Sequence, residues 1–163
     1  MKLHLAILTA LALAGCATAP PQTAAVPTDP QARWEQGQKA YEAWSARRHG
    51  WTTTASGLQY RRIVSAPASS PRPAPGATVT IHYTGTFIDG REFDSSRARG
   101  EPATFPLGRL IKGWQEGVPL MRVGEVWEFV VPSDLAYGDR DRPPIPPGSA
   151  LHFEIELIAL PGG

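Results

Sequence analysis

The sequence predicts an α+β domain in which an antiparallel β-sheet curls over one short α-helix, with an additional N-terminal helix. Three observations lead there. The chain has 163 residues, 42% of them hydrophobic, enough for one domain core with segments to spare. Its 17 prolines and 16 glycines exceed the usual shares of roughly 5% and 7%, which disfavours a bundle of long helices. Period-two alternation recurs in several short stretches, whereas inside the domain only one stretch has helical spacing.

Taken in order, Met1-Lys2 precedes an apolar run over residues 5–14, shorter than the about 20 residues that cross a bilayer and suited to a signal-peptide core. Residues 17–28 are rich in Ala, Pro and Thr without apolar period, and read as an extended tether. Asp29-Pro30 supplies an N-cap followed by proline at the first helical position, and the helix is expected to run to Arg48, where His49-Gly50 stops it. Trp34, Tyr41 and Trp44 share a face of it. That stripe is expected to pack on its own domain, a dimerisation helix being the alternative.

The domain itself begins with an imperfect alternation over residues 57–65, consistent with an edge strand. Four prolines within residues 67–76 make a stiff loop. Residues 78–87 then alternate cleanly, with Val79, Ile81 and Tyr83 on one face and Thr78, Thr80 and His82 on the other. Asp89-Gly90 is a strong hairpin signal, and residues 91–94 begin the return strand. A helix is expected over residues 107–118, with Leu110, Ile111 and Trp114 on its inner side. Residues 125–131 and 151–160 are two further strands, and Leu151, Phe153, Ile155 and Leu157 face inward on the second.

Several function classes are excluded by composition and spacing. Lys plus Arg is 16 and Asp plus Glu is 15, with no basic block, so nucleic acid is not expected as a partner. A single cysteine, Cys16, allows neither an intrachain disulfide nor a thiolate zinc cluster. No Gly-x-Ser-x-Gly elbow or phosphate-cradling glycine motif occurs. His4, His49, His82 and His152 stand singly, without metal-ligand spacing, and Ser95-Ser96 beside Asp94 reads as turn chemistry. Neither a metal nor a cofactor is expected.

The segment Leu13-Ala14-Gly15-Cys16 resembles the lipobox of bacterial lipoproteins. The resemblance implies cleavage before Cys16, lipidation of its thiol and anchoring to a membrane through this N-terminal lipid; Ala at position 17 implies outer-membrane sorting. Ordinary secretory cleavage at Ala17-Thr18-Ala19 is the alternative. Loss of the leader removes Lys2 and leaves basic and acidic groups balanced.

From about residue 57 to 160 the chain resembles the FKBP-type peptidyl-prolyl cis-trans isomerases. The likeness rests on Val79-Thr80-Ile81-His82-Tyr83-Thr84-Gly85, Gly90-Arg91-Glu92-Phe93-Asp94-Ser95-Ser96, Phe105-Pro106-Leu107-Gly108, Leu110-Ile111-Lys112-Gly113-Trp114-Gln115-Glu116-Gly117, Gly124-Glu125, Leu135-Ala136-Tyr137-Gly138 and Ile145-Pro146-Pro147, in that order. It implies an FKBP-like curled sheet around the short helix. The implied domain plan is a lipoprotein signal peptide over 1–15, a flexible tether over 16–28, an N-terminal helix over 29–50 and the isomerase domain over 54–163.

The same resemblance implies a prolyl pocket with Trp114 as floor and Tyr83, Phe93, Phe105, Leu110, Ile111, Tyr137 and Phe153 as walls, Ile145 completing the substrate-binding set. Ile111 N–H and the Tyr137 hydroxyl would meet peptide carbonyls, and Tyr83, Asp94 and Arg99 would form a hydrogen-bonded trio. Tyr83, Asp94 and Tyr137 are the implied catalytic residues. In isolation Trp114 and Phe153 read as core; Tyr137, before a glycine on a proline-bounded loop, has no strand face to bury.

Two departures bear on substrate preference: Ala103 stands where the family commonly carries a second aromatic, and the loop Gly138-Asp139-Arg140-Asp141-Arg142-Pro143-Pro144 is unusually charged. The implied partners are unfolded or partly folded polypeptides containing proline, and macrolide inhibitors of the FK506/rapamycin type. The implied role is isomerisation of X-Pro bonds during envelope protein folding, with the chain lipid-anchored in the outer membrane and facing the periplasm. The alternative is a chaperone-like binding lipoprotein that uses the same groove with little or no catalysis.

Overall fold

The computed structural model describes residues 26–161. The expected leader, Cys16 and most of the tether lie outside the described residues, as do the last two residues of the chain.

Helix α1 (Pro30–Ser45) starts as its sequence dictates, with the Asp29 carboxylate accepting the Ala32 N–H at 2.9 Å and proline in the first turn. It ends three residues before the expected stop, and the chain continues as turns to Gly50, whose φ of +84° favours glycine. The helix packs on its own domain, but not mainly through its aromatic stripe: Trp34 and Tyr41 are half-buried, and Trp44 is exposed. Its deepest residues are Gln38 and Ser45. Gln38 Oε1 accepts the Ala150 N–H at 3.0 Å, the Ser45 hydroxyl donates to Gln59 Oε1 at 2.6 Å, and Gln59 Nε2 donates to the Glu42 carbonyl at 2.9 Å. Buried polar groups without such partners would each cost about 1–3 kcal/mol, so these bonds define the docking angle.

Seven strands follow: β1 (Thr52–Thr53), β2 (Gln59–Val64), β3 (Thr78–Phe87), β4 (Glu92–Ser95), β5 (Ala103–Pro106), β6 (Val126–Val131) and β7 (Leu151–Ala159). All pairings are antiparallel, in the order β1-β2-β6-β7-β3-β4, with β5 also on β3. Strand β2, expected at an edge, has only two-residue β1 outside it. The hairpin at Asp89-Gly90 forms as expected, with the Phe87 N–H donating to the Arg91 carbonyl at 2.9 Å. Strands β1 and β5 were not anticipated, because two residues carry no period and β5 follows Pro102 and ends in Pro106.

The helix expected over residues 107–118 is divided. A 3₁₀ turn spans Leu107–Arg109, Leu110 and Ile111 are extended, α2 runs Lys112–Gly117, and a second 3₁₀ turn spans Val118–Leu120. Local hydrogen bonds account for the break: the Ile111 carbonyl accepts the N–H groups of Trp114 and Gln115, and Gln115 Nε2 donates to the Leu110 carbonyl at 2.6 Å. Helix α2 lies on the concave face of the sheet because its inner turn carries no side chains at two positions. A Cβ on Gly113 would sit 2.5 Å from Val131 Cγ1, and one on Gly117 2.5 Å from Phe129 Cε1. The core between them holds Leu58, Val79, Ile81, Phe129, Ile155 and Leu157, all buried.

Candidate active site

The period-two pattern of β3 delivers Tyr83 to the concave face, where the register pairs it with Ile155 and sets Gly85 opposite Phe153. A Cβ on Gly85 would lie 2.7 Å from Phe93 Cζ and 2.8 Å from Phe153 Cε1, so glycine lets both rings close over the strand. Trp114, from α2, meets Tyr83 edge-on at 5.3 Å between centroids and Phe153 at 5.1 Å; Phe93 meets Phe153 at 5.7 Å. These near-perpendicular contacts set the positive edge of one ring against the negative face of the next.

Above them is a cavity of about 240 Å³, lined by Tyr83, Phe93, Asp94, Phe105, Leu110, Ile111, Trp114, Tyr137 and Phe153, together with Arg109 and Arg142. That volume is below the about 300–1,000 Å³ of pockets for drug-sized ligands. Nine of the expected site residues therefore converge. Arg99 joins them through its hydrogen bonds, described below. Ile145 does not line the cavity: it is buried with the core, and its N–H donates to the Arg142 carbonyl at 2.7 Å. Its part is to hold the loop that bears Arg142.

The hydrogen-bonded trio forms as the resemblance implied. The Tyr83 hydroxyl donates to Asp94 Oδ2 at 2.6 Å, and Arg99 donates to Asp94 Oδ1 at 2.5 Å and to the Tyr83 oxygen at 2.9 Å. Partial burial alone would disfavour the Asp94 carboxylate, but the bonds from Tyr83 and Arg99 hold its pKa below the ordinary value. Burial, and then the hydrogen bond to Asp94, pushes Tyr83 up, and the bonds to Tyr83 and Asp94 hold Arg99 still more firmly protonated. At neutral pH the trio is a neutral phenol between an anion and a cation.

Two donors at the cavity are unused. Among the described residues neither the Ile111 N–H nor the Tyr137 hydroxyl has a hydrogen-bond partner. The break ahead of α2 is what frees the first, since a continuous helix over 107–118 would have bonded that N–H internally. The second is presented by the loop after β6, pinned where the Gly138 N–H donates to the Ser133 carbonyl at 2.8 Å and Gly138 adopts a φ of +60°. Trp114 Nε1 is buried without a partner. His82 and His152 do not line the cavity, and no cluster of three or more His, Cys, Asp and Glu side chains suited to a metal occurs among the described residues. Arg109 and Arg142 were not anticipated at the site. The charged loop was the available signal for Arg142; for Arg109 there was none, as its placement follows from the break at Leu110.

The fold and cavity define a domain with an aromatic-walled pocket and unused hydrogen-bond donors at its rim. The family model described as FKBP-type peptidyl-prolyl cis-trans isomerase matches residues 70–158. The chain belongs to that family. It is 48% identical over 120 residues to the FKBP-type peptidyl-prolyl cis-trans isomerase FkpA of Aeromonas hydrophila, a match covering 74% of this chain and 44% of that protein. It is 48% identical over 106 residues to the outer membrane protein MIP of Legionella longbeachae, covering 64% and 45%. The crystal structure of FkpA from Escherichia coli superposes with a TM-score of 0.75 at 39% identity, over 79% of this chain and 60% of that one. The chain thus spans about half the length of these curated relatives.

Proposed function

We propose that the protein is a peptidyl-prolyl cis-trans isomerase acting on X-Pro bonds of unfolded or partly folded polypeptides. The observation that carries this reading is the aromatic cavity floored by Trp114, with two unpaired donors, Ile111 N–H and Tyr137 Oη, at its edge. Isomerisation faces a barrier of about 18–20 kcal/mol because the amide loses resonance as it twists. The planar amide is dipolar and favoured by water; the twisted one has less charge separation and is favoured in a dry aromatic site. Binding that is stronger for the twisted state lowers the barrier without a covalent step.

In this reading the proline ring rests on Trp114 between Tyr83, Phe93, Phe105 and Phe153, with Leu110 and Ile111 beside it. Ile111 N–H and Tyr137 hold the flanking carbonyls, so that rotation is confined to one bond. Asp94, oriented by Tyr83 and Arg99, fixes that wall and its electrostatics. A protease-coupled or NMR exchange assay on a short X-Pro peptide is the test; a rate equal to the uncatalysed one would end the proposal. Tyr137→Phe is expected to lower kcat/KM by about two- to tenfold, the worth of one hydrogen bond of about 0.5–1.5 kcal/mol. Asp94→Val is expected to lower it also. Neither should move Tm by more than a few degrees, because Tyr137 Oη has no partner and Asp94 is half-exposed. Unchanged turnover in both would refute the assignment of these residues.

The same proposal takes residues 54–163 as the isomerase domain, 29–50 as its helical extension, 16–28 as a tether and 1–15 as a cleaved leader. Cys16 is then the lipidated N-terminus and the protein an envelope lipoprotein, in the outer membrane and facing the periplasm. The lipobox-like sequence and the similarity to a protein named as an outer membrane protein support this. Palmitate labelling is expected for the wild type and absent from Cys16→Ala; labelling of both would overturn it. Macrolides of the FK506/rapamycin type are proposed to enter the same cavity; Ala103 does not line it.

A further inference from the structure

Beside the aromatic cavity lies a second, wider one of about 590 Å³. The two are continuous, sharing Arg109, Leu110, Ile111, Tyr137 and Arg142 as walls. The wider cavity also presents Lys112 and Arg140, so four cations surround it against two carboxylates, Asp134 and Asp139. Among the described residues none of the four cations lies within ion-pair distance of a carboxylate, whereas Asp94 is already paired with Arg99. The two carboxylates are shared with a neighbouring site. Asp134 and Asp139 line a third cavity, against α1, together with Glu35, Glu42 and a single cation, Lys39. Burial first, and then repulsion from Asp134, pushes the Glu42 pKa up against the opposing pull of Lys39. Arg109 and Arg142 instead reach the mouth of the aromatic cavity itself, and the Arg142 guanidinium stacks 4.7 Å from the centre of the Tyr137 ring. A chain leaving the cavity past Ile111 and Tyr137 meets four cations against two carboxylates, a net positive surface.

We propose that this basic annex selects polypeptides carrying Asp or Glu within a few residues of the proline. The inference rests on the isomerase reading and adds a substrate class to it. Arg109, Lys112, Arg140 and Arg142 are exposed, and exposed pairs contribute about 0.2–1 kcal/mol each, so the preference is one of rate and affinity rather than an absolute requirement.

The test uses short peptides with a single proline and either Glu or Gln placed at each other position in turn, with exchange and Kd both read by NMR. At about 0.02 M salt, Glu is expected to exceed Gln in kcat/KM by about two- to fivefold at one position or more. At about 1 M salt, where screening acts over about 3 Å, the ratio should fall to near one. In the wild-type background Lys112→Gln with Arg140→Gln should reduce the ratio at low salt as well. Equal Glu and Gln values at every position at low salt would overturn the proposal, as would a ratio indifferent to salt and to the double variant. Absence of catalysis on every peptide would sink the isomerase reading alone, since the Glu-to-Gln ratio of Kd still decides this one.

Discussion

Trp114→Ala is expected to cost about 3–5 kcal/mol of folding stability and to reduce isomerase turnover by more than any other single change in the cavity. Trp114 is only 5% exposed and contacts the rings of Tyr83 and Phe153, so truncation leaves a void beneath the cavity and two rings without an edge partner. Against a total stability of about 5–15 kcal/mol, that loss is large. Trp114→Phe separates the packing role from the indole nitrogen. Because Trp114 Nε1 is buried without a partner, phenylalanine removes an unsatisfied donor worth about 1–3 kcal/mol, which offsets part of the lost volume. Urea unfolding is expected to find Trp114→Phe within about 1.5 kcal/mol of wild type, with turnover retained in part. A Phe variant as unstable as the Ala variant would show that the lost ring volume outweighs the relief of the unpaired donor.

Glu125→Ala is expected to cost about 2–5 kcal/mol, the worth of two orphaned donors at about 1–3 kcal/mol each, at a distance from the cavity. Glu125 is 1% exposed at the entry to β6. Its Oε2 accepts the Arg122 N–H and Trp127 Nε1, each at 2.9 Å, and its Oε1 accepts from Arg62 at 3.3 Å. Removal orphans the first two donors and strips Arg62 of its counter-charge. Burial by itself disfavours the carboxylate, yet the donors from Arg122, Arg62 and Trp127 outweigh it and hold the pKa below the ordinary value of 4.5. With the folded-state pKa lowered, the ionised group contributes stability that is present in full above pH 4.5 and is lost as pH falls through the lower, folded-state value. Glu125→Gln, which keeps an acceptor without the charge, should therefore differ most from wild type near pH 7 and converge on it in acid. A difference that grows as pH falls would refute the network.

Much of the fold was legible because its signals are carried by neighbours in the chain. Alternation between Thr78 and Phe87, the Asp89-Gly90 turn and the Asp29-Pro30 helix start are choices a few residues make among themselves, and all three stand in the structure. The site was legible in another way. No period singles out Tyr83, Asp94 and Arg99; the ordered likeness to a family did, and the 2.5–2.9 Å contacts among them accord with it. What could not be read locally was the break at Leu110 and Ile111, where the spacing of Leu110, Ile111 and Trp114 fits a continuous helix. Side-chain capping by Gln115 and the fit of Gly113 and Gly117 against β6 outweigh that spacing.

By itself the sequence determined the start of α1, the alternation of β3 and β7, the hairpin and the family, since each depends on residue spacing or on an ordered set of motifs. Only the tertiary structure decided which side chains share a cavity and which charges go unpaired. Ile145 turned into the core, Arg109 and Arg142 came to the rim, and α1 docked through Gln38 and Ser45 rather than through its tryptophans. The physical reason is sequence separation. Phe153 reaches Trp114, and Gln38 reaches Ala150, across spans of 39 and 112 residues, and such contacts follow from how the two helices dock on the sheet rather than from any local preference.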